Sequence, residues 1–189
     1  LPARPDLEEK AWEFAERVRC GTVRAPREDS EVMAKPRLIV FDLDGCLWDP
    51  EMYQLWGGGA PFRAAGDGSA DLLDCAGVRV RMLGAMQAIL TELAADDEIM
   101  IAVASSTDEP SWARECMGKF KLRDGRPISA AITHYAIHKG KKSGHFAELK
   151  EATGFEFEDM LFFDNEPGNC KTVAKLGVTA VHTPIGVTD

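Results

Sequence analysis

At 189 residues the chain has the length of one domain with a short appendage, and about 70% of its unfolded surface can be buried without staples. Its formal net charge of −9, from 31 Asp and Glu against 22 Lys and Arg, argues against non-specific nucleic-acid binding, so any phosphate must be held by local positive charge or a metal. The five cysteines (Cys20, Cys46, Cys75, Cys116, Cys170) are scattered and form no Cys-x-x-Cys pair, which disfavours a disulfide or zinc framework, and no apolar run approaches membrane-spanning length.

The chain begins at Leu1 rather than methionine, so the reducing, cytoplasmic compartment its thiols suggest leaves room for an organelle reached by a cleaved leader. Asp6 is placed to cap a helix, with Glu9 reaching back and Leu7, Ala11, Phe14, Ala15 and Val18 on one face. Cys20-Gly21 ends it, and residues 22–36 read as linker. Residues 1–35 are thus expected as an N-terminal helix and linker that pack on the domain and offer a surface to a protein partner. Residues 36–189 form the domain itself.

Leu38-Ile39-Val40-Phe41 predicts a fully buried strand over 37–42. Residues 49–78 are rich in glycine, lack helical period and predict a long loop or flap. Val78-Arg79-Val80 is expected to open a helix with Met82, Leu83, Met86, Ile89, Leu90 and Leu93 as its apolar stripe. A second buried strand, 99–104, runs into Ser105-Ser106-Thr107, and a helix starts at Pro110. A third strand lies within 128–137, a helix over 143–152, a fourth strand over 160–163, a helix over 169–176 and a last strand over 178–182. This alternation predicts a three-layer α/β sandwich with a central parallel sheet, a small flap and no large cap.

Three of the strand ends carry polar clusters: Asp42 and Asp44, then Ser105-Ser106-Thr107, then Asp164-Asn165-Glu166. A carboxylate at the mouth of an apolar strand is costly unless something neutralises it, and the carboxyl ends of parallel strands are where ligands bind. With the basic loop His138-Lys139-Gly140-Lys141-Lys142, the clusters would assemble acids, a hydroxyl, an ammonium and an amide oxygen. Oxygen-only donors suit Mg²⁺ with a substrate phosphate. Taken singly, the pieces have plainer readings: Ser105-Ser106-Thr107 as a helix N-cap, the basic stretch as a solvated loop, His145 as a structural histidine beside Phe146 and Leu149. Cys46 has no His-Cys-Asn arrangement around it. Gly57-Gly58-Gly59 lacks the Lys-Ser/Thr of a phosphate-binding loop. Trp48 and Trp56 read equally as flap packing or as a substrate platform.

The four segments Asp42-Leu43-Asp44-Gly45-Cys46-Leu47-Trp48, Ala104-Ser105-Ser106-Thr107, Lys142-Ser143-Gly144-His145-Phe146 and Phe162-Phe163-Asp164-Asn165-Glu166 resemble, in that order, the haloacid dehalogenase (HAD) superfamily. Within it they look like the magnesium-dependent phosphatase-1 family, over residues 36–183. The resemblance implies a HAD-like fold, a Mg²⁺ cofactor and phosphomonoester hydrolysis through an aspartyl-phosphate. Asp42 would be the nucleophile, and Asp44 the acid and base, with its main-chain carbonyl on the metal. Lys142, with Lys141 and Lys139 as rivals, would offset charge on Asp42 and the phosphate. Ser105, Ser106 and Gly45 would bind phosphate, and Asp42, Asp44, Asp164 and Asn165 would make the metal shell. Four positions depart from the family pattern: Gly45 for an aromatic, Cys46 for threonine, Ser106 for arginine and Asn165 for aspartate. The spacings leave no room for a large cap, so an open site taking a phosphoprotein, such as phosphotyrosine, or a phosphosugar is expected. The alternatives are a catalytically silent structural or regulatory subunit and a phosphomutase.

Overall fold

The computed structural model describes residues 35–187. The expected N-terminal helix, and the partner surface assigned to it, lie outside them. After β1 (Leu38–Phe41) come four short strands, β2 (Trp48–Asp49), β3 (Arg63–Ala64), β4 (Leu72–Leu73) and β5 (Arg79–Met82). The chain then alternates α1 (Met86–Leu93), β6 (Met100–Ser105), α2 (Pro110–Lys119), β7 (His134–Ile137), α3 (Lys142–Thr153), β8 (Met160–Asp164), α4 (Pro167–Ala174) and β9 (Thr179–His182). Five strands pair in parallel in the order β7-β6-β1-β8-β9, so the parallel α/β sandwich expected from the sequence is present.

The central strands are apolar on both sides because helices cover both faces of the sheet. Leu38 and Val40 point into a core with Ala102, Ala104, Phe162 and the α3 residues Phe146 and Leu149. Ile39 and Phe41 point the other way, among Ile101, Val103 and Phe163, toward α1, α2 and the flap. Stacking of Phe41 on Phe163, with centroids 5.2 Å apart, ties β1 to β8. Phe41 pairs in register with Val103 and with Phe163, so Asp42, Ala104 and Asp164 all fall just beyond one level of the sheet. The strand order reverses at β1, where a doubly wound sheet opens its ligand crevice.

Residues 48–82 correct one expectation. They form a second, antiparallel sheet in the order β2-β5-β4-β3, and Arg79–Met82 is its second strand rather than the start of a helix. Arg79-Val80-Arg81-Met82 alternates with period two, burying Val80. Gly84, at φ 49°, then breaks the chain before α1 begins at Met86. Trp48, Met52, Leu55, Phe62, Leu72 and Val80 bury the flap against the main core, Asp74 ties it internally and Phe62 joins it to α2. The buried carboxylate of Asp74 accepts the N–H groups of Gly59 (2.9 Å) and Val78 (2.7 Å). Phe62 packs edge-on against Trp112 of α2 and donates its N–H to Glu115. Gly59 sits at φ 94° so close to Trp112 that a Cβ there would lie 2.3 Å from the indole, so both its conformation and its contact require glycine. Among the described residues no helix is long and apolar enough to cross a membrane.

Candidate active site

Strand alternation sends the side chains of Asp42 and Asp164 to the face that α3 covers. There Lys142, the first residue of α3 and 2% exposed, points its Nζ between them, 2.6 Å from Asp42 Oδ1 and 3.2 Å from Asp164 Oδ2. The same ammonium donates to the Ala104 carbonyl. Two buried carboxylates therefore share one buried cation. Burial pushes the Asp42 carboxyl up to about 7; Lys142 pulls it down, and the Asp164 carboxylate adds to the rise. Burial works against the Lys142 ammonium, but the two carboxylates outweigh it and hold the lysine above its ordinary range.

Above this cluster opens a cavity of about 390 Å³, lined by Asp42, Asp44, Ser105, Ser106, Lys142 and Asn165, with Glu51, Tyr53, Asp108 and Lys139 among the residues around it. Asp164 is wholly buried and does not line it. Of the three candidate lysines only Lys142 reaches the acids: Lys139 is exposed and pairs with Asp108 at 3.3 Å, and Lys141 is exposed at the N-cap of α3. Asp44 accepts a 2.7 Å hydrogen bond from Trp48 Nε1. Burial raises its pKa, and the indole N–H pulls the other way. Trp48 is thereby core packing, whereas Trp56 is 84% exposed. Ser105 is buried, while Ser106 is exposed and donates its hydroxyl to the Gly140 carbonyl at 3.0 Å. The hydroxyl cluster does not cap α2. Glu109 takes that position, and Thr107 Oγ1 accepts the Glu109 N–H in a local turn, because two further residues intervene before Pro110.

Gly45 has φ 73°, and a Cβ there would lie 2.3 Å from Asn165 Nδ2, so the glycine makes room for that amide. Cys46 is buried with its Sγ near the Phe163 carbonyl and Thr183 Oγ1. Burial, with Asp42 adding, drives its thiol far above the range in which a thiolate forms. Asn169 was not anticipated. Its Nδ2 lies 3.0 and 3.2 Å from the two Asp164 oxygens, and the Glu166 N–H donates to Asp164 Oδ1 at 2.7 Å. The available signal was Pro167 at the first helical position, which puts Asn169 in the first turn of α4, against the end of β8.

Among the described residues no three His, Cys, Asp or Glu side chains form a metal cluster. The donors at hand are instead Asp42, the Asn165 amide and main-chain oxygens. Asn165 Oδ1 is a buried acceptor without a hydrogen-bond partner. An open amide oxygen beside a surplus of carboxylate charge fits a hard divalent cation that takes oxygen ligands and keeps waters. Asp164, with both oxygens already accepting from Lys142, Asn169 or Glu166, is placed to act through water rather than as a bare ligand.

A predicted HAD-like family hydrolase from Porphyromonas gingivalis shares the fold, with a TM-score of 0.52 at 18% identity over 79% of this chain and 91% of that one. The chain belongs to the Acid Phosphatase family within this superfamily, whose family model matches residues 34–189. It is 34% identical over 160 residues to Magnesium-dependent phosphatase 1 of Homo sapiens, covering 80% of each chain. A HAD-like hydrolase superfamily protein of Schizosaccharomyces pombe is 32% identical over 150 residues, 76% of this chain and 83% of that one.

Proposed function

We propose that residues 36–189 form a Mg²⁺-dependent phosphomonoester hydrolase that works through an aspartyl-phosphate on Asp42. The observation that carries this reading is Lys142 Nζ held between Asp42 and Asp164 at the floor of an open cavity. The ammonium keeps Asp42 available as a carboxylate where burial alone would protonate it. An Asp42 oxygen attacks phosphorus, the bond to the ester oxygen breaks, and the Asp44 carboxyl gives its proton to that leaving oxygen. In the second displacement Asp44, now a carboxylate, takes a proton from water. The water oxygen attacks phosphorus and phosphate departs, restoring Asp42. Ser105 and the main chain at Gly45 would hold the phosphoryl oxygens, and Ser106 would join them only by giving up its hydroxyl's hydrogen bond to the Gly140 carbonyl. Mg²⁺, the ion in the human relative's name, would be held by Asp42, Asn165, the Asp44 carbonyl and, through water, Asp164, and would neutralise charge on the transferring group.

The mouth admits a phosphate carried on a bulky group, a phosphoprotein or a phosphosugar, and a mutase, which must exclude water, fits it less well. The free thiols Cys46, Cys75, Cys116 and Cys170 agree with a reducing compartment such as the cytoplasm. The test is turnover of p-nitrophenyl phosphate with Mg²⁺, abolished by EDTA and lowered at least ~10⁴-fold by Asp42→Asn. Absence of turnover with several phosphoesters would instead favour the catalytically silent subunit.

A further inference from the structure

Residues 138–141 join the end of β7 to Lys142 and contribute Lys139 to the wall of the cavity. Two histidines hold this loop. His145, in the second half-turn of α3, is completely buried, with Nδ1 3.1 Å from the Lys141 carbonyl and Nε2 2.9 Å from the His138 carbonyl. It thus grips both ends of the loop, and both of its partners are acceptors only. A neutral imidazole donates once, so one of those carbonyls faces a lone pair unless the ring is protonated.

His138 presents the same problem. Its Nδ1 lies 3.0 Å from the Lys139 carbonyl and its Nε2 3.0 Å from Glu148 Oε2. The two rings stack, with centroids 4.2 Å and planes 19° apart. Four acceptors therefore surround two rings that supply only two donors when neutral. One proton adds a third donor; a second would set two cations face to face. Lys142, on the same helix as His145, opposes that second charge further.

The other charges facing the pair are Glu148 on α3, which favours a cation on His138, and Lys139 and Lys141 in the loop. Asp108 neutralises Lys139, and Asp42 with Asp164 neutralises Lys142. The exposed ring is the better host for the proton. The Lys139 carbonyl and then Glu148 hold His138 above its ordinary range, while burial holds His145 below.

We infer that His138 and His145 are positioning residues that share one proton to hold the 138–141 wall, and with it Lys139 and Lys142, in the geometry that captures a phosphoester. In its kinetic consequence this rests on the hydrolase reading above. A group whose folded-state pKa is raised stabilises its surroundings below the unfolded value near 6.5 and loses that contribution as pH climbs through the folded value. The wall is therefore tight at mildly acid pH and slackens above neutrality, so KM rises with pH more than kcat falls.

His138 and Glu148 are exposed, so His138→Gln and Glu148→Gln leave the packed core intact. Glutamine at 138 keeps a permanent donor without a titration. Imidazole proton resonances followed by NMR from about pH 5.5 to about pH 8.5 should show His145 shifting at the same apparent pKa as His138. Glu148→Gln should move that pKa to lower pH, and His138→Gln, which removes the competing ring, should leave His145 titrating alone at a different pH. With p-nitrophenyl phosphate and Mg²⁺, the KM of the wild type should rise about fivefold more than that of His138→Gln over the same range. The substrate's own ionisation is common to both proteins and cancels in the ratio. A His145 signal indifferent to His138 overturns the inference, as do superimposable KM profiles in active protein. Inactive protein with coupled imidazole titrations would leave the shared proton standing and refute the hydrolase reading instead.

Discussion

The two sheets of this molecule are built on opposite principles. In the parallel sheet the central strands β1 and β8 are short apolar runs buried on both faces, and a slip of one residue would turn Asp42 and Asp164 away from Lys142. Its register is fixed by packing along its whole length. The flap has three two-residue strands and one of four, positive-φ glycines and an exposed Trp56. It buries Trp48, Met52, Leu55, Phe62, Leu72 and Val80 in the core below β1, and its specific polar and close contacts are those of Asp74, Gly59 with Trp112, and Phe62. The parallel sheet positions the charged cluster through its paired register, and the part that borders the cavity with Glu51 and Tyr53 is built of short strands and turns packed on the core.

The sharpest way to break the contrast is Lys142→Met. It leaves two buried carboxylates facing each other, and removing one partner of a buried charge cluster costs about 3–5 kcal/mol. Urea unfolding at pH 8 should show that loss, together with loss of turnover. Because Asp42 already stands at about 7 with the lysine present, removing the lysine raises it further, and protonation relieves the repulsion as pH falls. The destabilisation should therefore shrink toward pH 5. Equal loss at both pH values would mean that the acids are not coupled through Lys142.

A smaller, local effect is expected from Asp74→Ala. Two N–H groups, of Gly59 and Val78, lose their acceptor, worth about 2 kcal/mol together. Amide exchange in the flap should accelerate about 30-fold while that of β1 and β8 stays as it was. Faster exchange throughout would show that the two sheets unfold as one unit. Smallest is Trp48→Phe, which removes the N–H that lowers the Asp44 pKa. The limb of the kcat/KM profile governed by Asp44 should move to higher pH. A profile unchanged in position would assign that limb to another group.

This contrast also governs what could be read in advance. Leu38-Ile39-Val40-Phe41 followed by Asp42 announces a buried strand with an acid at its mouth, since both signals are local. Lys142 was singled out among three lysines only through the resemblance of its surroundings. Its decisive property, being the first α3 residue under the sheet edge, depends on where the helix begins. The flap was misread at residues 78–82 because Met82 and Leu83 extend the α1 stripe backward in sequence, while the pairing partners that make a strand of Arg79–Met82 lie in β2 and β4. The glycines at 57–59 were conspicuous, but the reason for Gly59 sits 53 residues away at Trp112. Asn169 is missed when the helix is started at 169: only a start at Pro167 puts its side chain in the first turn, against Asp164 at the end of β8.

The most direct measurement is a crystal structure of the protein with Mg²⁺ and beryllofluoride, a mimic of the phosphoryl group bonded to a carboxylate. Density continuous with a carboxylate oxygen of Asp42, with Lys142 Nζ against one fluoride and the metal beside Asn165, is the expected result. Beryllofluoride on any other side chain, or a metal bound away from Asp42 and Asn165, would contradict the assignment of Asp42 as nucleophile.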